Sequence, residues 1–414
     1  MNPFVYKNRN LCVDGISLKS IARKVGTPFF IYSRDNIERR ILDYKKGLAS
    51  VRHLLCYAVK ANSNPAVLKV IRAAGCGADI TSGGELYAAM AAGISPSKLV
   101  YAGVGKTDGE IRAAIKAGIL MFNVESRAEL EAIDGIAARA GKIVRVAVRI
   151  NPDVDAGTHK KITTGKSRTK FGIPISDALE FYNAARRMKH IEPAGIHSHI
   201  GSQIVSTSPF TAAARKIKKL TDRLESSGLS IKYVDLGGGL GIRYNDENPP
   251  SPSTFVKETL SVFSSDRDAA RTYIFEPGRS IVGEAGALVA SVIYHKEALG
   301  KHFFIADAGM SDLIRPTLYD AYHEILPVEK SASRVVTADI VGPICETGDF
   351  LGLSRRLPIL KKNDLIAVLC AGAYGFAMSS RYNSRLRAAE VLVSDGKYKI
   401  VRKRETYADL DARV

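Results

Sequence analysis

Several polar side chains of this 414-residue sequence stand at the ends of apolar, β-rich runs. The first is Lys60, which closes the run LLCYAVK and precedes an Asn-Ser-Asn-Pro turn. A lysine ammonium is strongly hydrated and normally reaches water, so its place at the end of a buried strand needs a chemical reason. A lysine that is desolvated and close to other charges loses its proton more readily and can then attack a carbonyl carbon. Lys60 is therefore a candidate for covalent chemistry.

Polar residues also follow other apolar runs of the sequence. They are Asp79, Arg149, His197, His199, the glycines of DLGGGLG, and Glu276 with Arg279. Together they supply carboxylates, an imidazole pair and a glycine-rich segment whose backbone N–H groups can approach an anion without steric obstruction. With the amine of Lys60, this set suits a phosphorylated carbonyl cofactor that is bound to lysine.

The apolar runs that carry these residues alternate with helical patterns. Eight candidate strands are LLCYAVK, GADITS, LVYAG, MFNVES, VRVAVRI, GIHSHI, YVDLGGG and YIFEPG. The segments between them, such as GGELYAAMAAG, are apolar at helical spacing and mostly end on the glycine typical of a helix C-terminus. Eight strand–helix units over residues 54–278 predict a (β/α)8 barrel rather than an open doubly wound sheet. In such a barrel the carboxyl ends of the strands carry the chemistry.

The pattern of strand-like and helix-like segments in the sequence changes after about residue 280. Runs such as KHFFIADAG and SRVVTADIVG are typical of strands without intervening helices, which predicts a second, mainly antiparallel β domain. We assign residues 27–278 to the barrel, and residues 1–26 together with 279–414 to the β domain. The run FFIYS at 29–33 is a ninth candidate strand, which we place ahead of the barrel.

The composition and the cysteines indicate a globular protein of a reducing compartment. Hydrophobic residues make up 46% of the chain and charged residues 25%. The five cysteines are widely spaced and form no C-x-x-C pair, so neither a disulfide framework nor a zinc site is predicted. The N-terminus lacks the apolar region of a secretory signal, and no apolar run approaches a membrane span. We expect a cytoplasmic protein with no membrane partner and no metal.

Basic residues outnumber acidic ones by 60 to 42, for a formal net charge of +18. The densest basic clusters, at residues 159–170 and 397–405, show neither interleaved aromatic residues nor a zinc-finger or helix-turn-helix pattern. We interpret them as solvated faces or anion-attracting rims and expect no nucleic-acid partner. A polyanion partner is the alternative.

The motifs of the sequence resemble those of one enzyme family over nearly the whole chain. They are YAVKAN, GADITSGGE, NVES, HSHIGSQ, DLGGGLGI, EPGRSIVG, DLIRPTLYDAYHEI, GPICETGD and GAYGFAMSSRYN. In this order they are similar to the motifs of diaminopimelate decarboxylase, one of the alanine-racemase-like, or type III, pyridoxal-phosphate enzymes. The resemblance implies pyridoxal 5'-phosphate as the cofactor. It also implies decarboxylation of meso-2,6-diaminopimelate at its D-centre to L-lysine and CO2, the last step of lysine biosynthesis.

The resemblance implies a set of cofactor-binding residues. They are Lys60, Asp79, His199, Ser202, Gly237, Gly238, Gly239, Glu276, Gly278 and Tyr374. Lys60 matches the lysine that binds the cofactor aldehyde covalently, and His199, also counted as catalytic, matches the imidazole that packs on its ring. Glu276 matches the acid that is paired with the pyridine nitrogen. His197 lies on the same side of its strand as His199, and it is either a site residue or a hydrogen-bonded core histidine.

The resemblance also implies the residues that select the substrate. They are Arg279, Arg315, Tyr319, Glu346 and Tyr374. Diaminopimelate carries a distal carboxylate, which a guanidinium can bind bidentately, and a distal ammonium, for which Glu346 matches the ligand. Cys345 matches the proton donor to the reacting carbon, with an inert thiol as the alternative. In the family, the CETGD segment reaches the site from a second subunit, which implies a homodimer.

Two departures and three alternatives remain open. Thr347 stands where the family motif has serine, which keeps the hydroxyl but adds a methyl group that could crowd the distal group of the substrate. The basic charge also exceeds what the family leads us to expect. The chain could instead decarboxylate a related diamino acid. A non-catalytic homologue would be expected to lack Lys60 or Cys345, and a nucleic-acid-binding barrel would need a contiguous basic face.

Overall fold

The computed structural model describes residues 2–155 and 170–411. The chain forms two compact units. Unit 1 comprises Met1–Arg39, Ile242–Glu247 and Ile281–Val414, and unit 2 comprises Arg40–Gly241 and Asn248–Ser280. Apart from Lys170, the basic cluster at 159–170 lies outside the described residues. Within the described ranges, no helix combines the length and the apolar character that a membrane span requires.

Unit 1 begins with a small sheet and one central strand. Its first elements are β1 (Phe4–Lys7), β2 (Asn10–Val13), β3 (Ile16–Ser17), α1 (Leu18–Val25) and β4 (Phe29–Ser33). Strands β1 to β3 pair antiparallel in sequence order. Helix α2 (Arg34–Leu48) follows, and the chain then enters unit 2.

Unit 2 is a closed barrel of eight parallel strands. Its strands are β5 (His53–Ala58), β6 (Gly77–Ile80), β7 (Leu99–Tyr101), β8 (Met121–Val124), β9 (Val144–Asn151), β10 (Ile173–Pro174), β11 (Ile191–His197), β12 (Tyr233–Asp235) and β13 (Thr272–Phe275). The order around the barrel is β9-β11-β12-β13-β5-β6-β7-β8, and the pairing of β8 with β9 closes it. The short strand β10 pairs with β9 and with no other strand in the described part of the chain. Each predicted strand run overlaps one of the eight barrel strands, so the predicted (β/α)8 barrel is confirmed.

Helices follow most of the barrel strands. They are α3 (Pro65–Ala73), α4 (Gly83–Ala91), α5 (Asp108–Ala117), α6 (Arg127–Arg139), α7 (Ala178–Arg187), α8 (Ser208–Ser226), α9 (Pro252–Leu260), α10 (Asp266–Ala269) and, at the boundary of the unit, α11 (Arg279–Val282). Helix α5 shows why these segments are helical. Thr107 and Glu110 form a capping box at its start, and Gly118 adopts the left-handed conformation at its end.

The barrel interior contains an apolar layer. Five buried residues from five different strands pack together there: Cys56, Val100, Met121, Ala147 and Ile274. Gly195 packs against the same layer. A Cβ atom at this position would lie only 2.9 Å from the sulfur of Met121, so there is no room for a side chain. The interior is therefore a packed core and not a pore.

The remaining part of unit 1 is mainly antiparallel sheet, as predicted. Its elements are β14 (Gly286–Ala298), β15 (Lys301–Ala306), α12 (Arg315–Tyr319), β16 (Ile325–Pro327), β17 (Val335–Val341), β18 (Phe350–Pro358), β19 (Leu365–Val368), β20 (Ala389–Ser394), β21 (Lys397–Arg402) and α13 (Ala408–Asp411). The sheet order is β18-β17-β15-β14-β4-β20-β21, while β19 pairs with both β14 and β16. Only the β15–β17 and β4–β20 pairs of this sheet are parallel.

Strand β4 lies ahead of the barrel strands, as expected for FFIYS, but it falls in unit 1 and not in the segment assigned to the barrel. The boundary at residue 27 assigned it to the barrel segment, whereas β4 pairs antiparallel with β14 and parallel with β20 in unit 1. All five of its residues are buried, and the Tyr32 hydroxyl donates to buried Glu390 at 2.7 Å. A central strand that is covered on both faces has the same continuous apolar pattern as a barrel strand. The run FFIYS therefore does not reveal to which sheet it belongs.

The apolar layer of the barrel leads to a prediction for stability. Ile274→Ala should lower the free energy of unfolding by about 2–5 kcal/mol, because it leaves a cavity among fully buried neighbours. The matched control is Ile143→Ala, since Ile143 is 69% exposed and should cost no more than about 0.5 kcal/mol. Urea denaturation followed by circular dichroism measures both variants. Equal losses in the two would contradict this description of the core.

Candidate active site

The carboxyl ends of the barrel strands position the predicted site residues of unit 2. Lys60 lies in a single helical turn, Val59–Ala61, directly after β5. Asp79 lies in β6, and His197 is the last residue of β11. Glu276 follows β13 immediately. Because parallel strands bring their carboxyl ends to one rim of a barrel, these side chains converge although they are far apart in the sequence.

Lys60 is held by a buried carboxylate. Its Nζ atom lies 2.5 Å from Oδ2 of Asp79, whose side chain is only 1% exposed, while the Lys60 side chain is 39% exposed. Burial raises the pKa of Asp79 to about 7, and the charge of Glu276 raises it further, although the Lys60 ammonium opposes the shift. The other oxygen of Asp79 has no hydrogen-bond partner among the described residues. The pair thus fixes the amine while leaving it accessible.

Glu276 is an ionised carboxylate in the barrel interior. Its Oε2 lies 3.3 Å from Nε2 of His197, and its Oε1 accepts a hydrogen bond from the amide of Asn123 at 3.2 Å. Burial opposes its ionisation, but His197 and the positive charge of Lys60 outweigh this effect and hold the pKa of Glu276 below its ordinary value. The site therefore contains a permanent negative charge at this position.

Asp235 is the neutral counterpart of Glu276. Burial and the negative charge of Glu276 raise its pKa well above the ordinary value. Its Oδ1 accepts the backbone N–H of Gly237 at 2.9 Å, and its Oδ2 lies 3.3 Å from the amide nitrogen of Asn123. Two neighbouring buried carboxyl groups thus have opposite protonation states, which is a common arrangement in enzyme active sites.

The carboxylates and His197 also resemble a metal site. Ligand atoms of His197, Asp235 and Glu276 lie within 4.8 Å of one another and could hold an ion, although the sequence led us to expect none. The amide of Asn123 donates to both carboxyl groups. We therefore interpret the cluster as a hydrogen-bonded network, in which N–H donors take the place of a cation.

The glycine-rich segment after β12 approaches neighbouring backbone closely. A Cβ atom on Gly238 would lie 2.1 Å from the carbonyl oxygen of Glu276, and one on Gly239 would lie 2.4 Å from that of Gly201. Gly239 also has a positive φ of 113°. Beside this segment, Nη2 of Arg279 lies 3.2 Å from the hydroxyl of Ser202. The bare backbone, a hydroxyl and a guanidinium are all suitable ligands for a phosphate.

His199 is partly buried and uncharged at neutral pH. Burial, with the positive charges of Arg149 and Lys60, lowers its pKa to about 3. Its Nδ1 accepts the backbone N–H of Gly238 at 3.2 Å. The ring is consequently fixed to the glycine-rich segment and can offer an uncharged aromatic face.

The remaining predicted residues belong to unit 1. Arg315 begins α12 and is 5% exposed. Its guanidinium lies 4.6 Å over the ring of Tyr244 and donates to Nε2 of His323 at 2.8 Å. Tyr319 ends α12, and Tyr374 adopts a positive φ of 57° in the GAYGF segment.

Cys345 and Glu346 lie side by side on the turn between β17 and β18. Both residues are exposed, as is the neighbouring Thr347. They are thus available at the surface of this unit.

The network residues Asn123 and Asp235 were missed as site residues in the sequence. Each is a polar residue inside an otherwise apolar strand, in MFNVES and YVDLGGG, and each is fully buried. A buried polar residue requires hydrogen-bond partners, so this pattern was a usable signal.

Comparison with known proteins places the chain in a family. The family described as "Pyridoxal-dependent decarboxylase, pyridoxal binding domain" matches residues 34–283. A diaminopimelate decarboxylase of Aquifex aeolicus is 50% identical, and the match covers 98% of this chain and 96% of that protein. One from Pseudomonas aeruginosa is 47% identical, with 100% and 98% covered. This chain belongs to the diaminopimelate decarboxylase family.

Solved structures of the family share the fold of the chain. The crystal structure of the diaminopimelate decarboxylase from M. jannaschii has a TM-score of 0.95 at 36% identity and covers 99% of this chain and 97% of its own. The enzyme from Helicobacter pylori, complexed with L-lysine, has a TM-score of 0.91 at 40% identity and covers 95% and 98%. The similarity includes both the barrel and the β domain.

Pyridoxal phosphate is the cofactor of this family, and the residues of unit 2 fit it. Lys60 would supply an amine for the aldehyde, and ionised Glu276 would supply the anion that a protonated pyridine nitrogen requires. Oδ1 of Asp79 and Nδ1 of His197, which have no hydrogen-bond partner within the described ranges, could offer further polar contacts. The glycine-rich segment leaves the space that a phosphate needs, because a side chain there would meet backbone.

The low pKa of His199 predicts how the cofactor-depleted protein responds to acid. The folded state disfavours the imidazolium down to about pH 3, whereas an unfolded histidine binds a proton below about pH 6.5. The neutral ring therefore contributes to the free energy of unfolding above pH 6.5, and this contribution is lost as the pH falls. Relative to His199→Gln, the free energy of unfolding of the wild type should fall by at most about 1.4 kcal/mol per pH unit. The decrease should be smaller than this because the ring is partly exposed. Denaturant titrations between pH 7 and pH 4 measure this difference, and a pH-independent difference would contradict the assignment.

Proposed function

We propose that the protein decarboxylates meso-2,6-diaminopimelate at its D-centre, giving L-lysine and CO2. The observation that carries this proposal is the network at the rim of the barrel, where Lys60, fixed by Asp79, and ionised Glu276 occupy the carboxyl ends of neighbouring strands. Relatives named diaminopimelate decarboxylase match 98% and 100% of the chain. The proposal assigns the reaction to lysine biosynthesis.

The residues of unit 2 have distinct tasks in the reaction. When bound, the cofactor supplies a protonated ring that accepts the electron pair released as the carboxylate leaves as CO2. Glu276 keeps the proton on the ring nitrogen, and Asn123 and His197 hold its carboxylate in place. The amine of Lys60, fixed by Asp79, would hold the cofactor through its aldehyde. Asp79, with a pKa near neutrality, orients the Lys60 amine and can exchange a proton with it.

We propose that the residues of unit 1 supply the selectivity and the returning proton. The guanidinium of Arg315 and the Tyr319 hydroxyl bind the distal carboxylate. Packing on Tyr244 and a hydrogen bond to His323 fix the position of Arg315 before substrate arrives. Glu346 binds the distal ammonium, and the thiol of Cys345 donates a proton to the reacting carbon. An enzyme selecting ornithine, which lacks a distal carboxylate, would need no arginine there.

We also propose that the active enzyme is a cytoplasmic homodimer. Cys345 and Glu346 are exposed on their turn, which suits residues that complete the site of a second copy. The five cysteines all lie in the described part of the chain and form no disulfide with one another, as is usual for proteins of a reducing compartment.

The proposal is tested by the reaction itself. The wild type, supplied with pyridoxal phosphate, should show visible absorption from bound cofactor and release CO2 from meso-diaminopimelate in preference to ornithine, arginine and carboxynorspermidine. Lys60→Ala should lose the lysine-bound absorption and fall to the background rate, because it removes the amine that we propose for the aldehyde. Lys69→Ala, at an exposed lysine of α3, should behave as the wild type. A wild type that binds cofactor but releases no CO2 from any of these compounds would instead indicate a non-catalytic homologue.

Subunit mixing tests whether each site is shared. Lys60→Ala and Cys345→Ala are each expected to be inactive as pure proteins. If one site takes Lys60 from one subunit and Cys345 from the other, half of the sites in a mixed dimer are intact. Random mixing should then restore about one quarter of the wild-type activity. Absence of any recovery after verified subunit exchange would show that each chain forms its own site.

A further inference from the structure

The turn that carries Cys345 and Glu346 is fixed from its inner side by a buried carboxylate. Asp349 is 4% exposed, and its two carboxylate oxygens accept the backbone N–H groups of Ile344 at 2.6 Å and Met310 at 2.5 Å. The N–H of Gly342 donates to the Asp349 carbonyl oxygen at 3.1 Å. Because a Cβ atom on Gly342 would lie 2.4 Å from the Asp349 carboxylate, the backbone approaches this group as closely as a glycine allows.

The outer side of the turn is held by two adjacent residues, Tyr382 and Asn383. The Tyr382 hydroxyl donates to Oε1 of Glu346. The side-chain oxygen of Asn383 accepts the backbone N–H of Cys345 at 2.9 Å. One dipeptide therefore contacts both of the residues to which we assign chemistry. Tyr382 and Asn383 lie in the SSRYN segment, which has no role in the proposed reaction so far.

The segment that carries this dipeptide is itself fixed. Asn383 and Ser384 both adopt positive φ values, 55° and 56°, a conformation that asparagine tolerates better than most residues. Before the dipeptide, Arg381 forms a bidentate ion pair with Glu405 at 2.8 and 3.1 Å. After it, the backbone N–H of Arg387 donates to the same carboxylate at 2.9 Å. Two successive left-handed residues at an exposed site persist only where their surroundings determine them.

We propose that Tyr382 and Asn383 are positioning residues for substrate recognition and proton return, an inference that rests on the proposed function of Glu346 and Cys345. A carboxylate has two oxygens, and Tyr382 occupies one of them. The other is then oriented for an ammonium group without the loss of rotamer freedom that an exposed glutamate would otherwise suffer on binding. Asn383 fixes the backbone of Cys345 and thereby the position from which the thiol side chain extends.

A purely structural role makes a different prediction from a positioning role. If Tyr382 only stabilised the fold, its removal would have the same effect whether or not Glu346 carries a charge. If Tyr382 acts through Glu346, its effect must vanish once the Glu346 carboxylate is gone. A double-mutant cycle separates the two roles.

The experiment measures steady-state decarboxylation of meso-diaminopimelate by the holoenzyme. Tyr382→Phe should raise KM by about tenfold, in line with the loss of a hydrogen bond to a charged group, while kcat and the absorption of the bound cofactor remain within about twofold. In a Glu346→Gln background, the same substitution should change KM by less than about twofold. Tyr407→Phe is the matched control, because Tyr407 is a 77% exposed tyrosine of the same unit and should have no effect.

Asn383 provides a second, independent arm of the test. Asn383→Ala removes the acceptor for the Cys345 N–H and disfavours the left-handed backbone, so kcat should fall at least about tenfold. Asn383→Asp keeps an acceptor oxygen and tolerates the same backbone, and it should recover most of the lost kcat. If Asn383→Ala does not fold, Tyr382→Phe and Asn383→Asp still carry the test.

The outcomes distinguish this inference from the proposed function. An active wild type in which Tyr382→Phe raises KM equally in both backgrounds would overturn the positioning role and leave the decarboxylase assignment intact. An unchanged KM in Tyr382→Phe would do the same. A wild type that does not act on diaminopimelate would overturn the proposed function, and the positioning role with it.

Discussion

A negative charge buried inside a barrel is the constraint around which the site of unit 2 is arranged. An isolated carboxylate in such a place would take up a proton, because burial penalises the charged form. Glu276 stays ionised because His197 and the Asn123 amide contact its two oxygens and the Lys60 ammonium adds a favourable field. Burial, together with the charge of Glu276, raises the pKa values of the neighbouring acids Asp235 and Asp79. The negative charge is thereby concentrated at Glu276, the carboxylate that we propose for the pyridine nitrogen.

This division of charge depends on the geometry of the barrel. Asn123, Asp235 and Glu276 come from three different strands or strand ends, and parallel pairing brings them together. The apolar layer around Ile274 prevents the strands from adjusting to a lost partner. Groups that are fixed in this way need little reorganisation during the reaction, which is the main advantage of a preorganised site.

Much of the barrel could be predicted from the sequence because its strands and helices have local signals. Apolar, β-rich runs marked all eight strands, and caps such as Thr107 with Glu110 marked the helices. The sheet to which β4 belongs could not be predicted, because central strands of either sheet have the same apolar pattern. Contacts between residues that are far apart in the sequence could not be predicted either. Asn123 and Glu276 are 153 residues apart, and neither periodicity nor spacing reports which buried polar groups will meet.

The same reasoning explains why the resemblance to a family was needed for unit 1. A charged residue at the end of a buried strand is unusual on physical grounds, so Lys60 and Glu276 can be recognised as candidates without knowledge of the family. Glu346 and Tyr382 are exposed, and exposed charges or tyrosines are common on any protein. Only the collinear motifs pointed to Glu346, and only the structure paired it with Tyr382.

The buried residues of the barrel network and the exposed residues of the turn should also differ in how well they tolerate substitution. A substitution at Glu276, Asn123 or His197 leaves a buried polar group unpaired and alters the protonation of its neighbours, so it affects stability as well as chemistry. Glu346 and Thr347 are exposed, and the Asp349 carboxylate that fixes their turn binds backbone N–H groups rather than their side chains. New side chains at 346 and 347 would therefore leave the backbone of the turn in place. The charges of the barrel are thus tied to its core, whereas the side chains at 346 and 347 can vary at little cost in folding free energy.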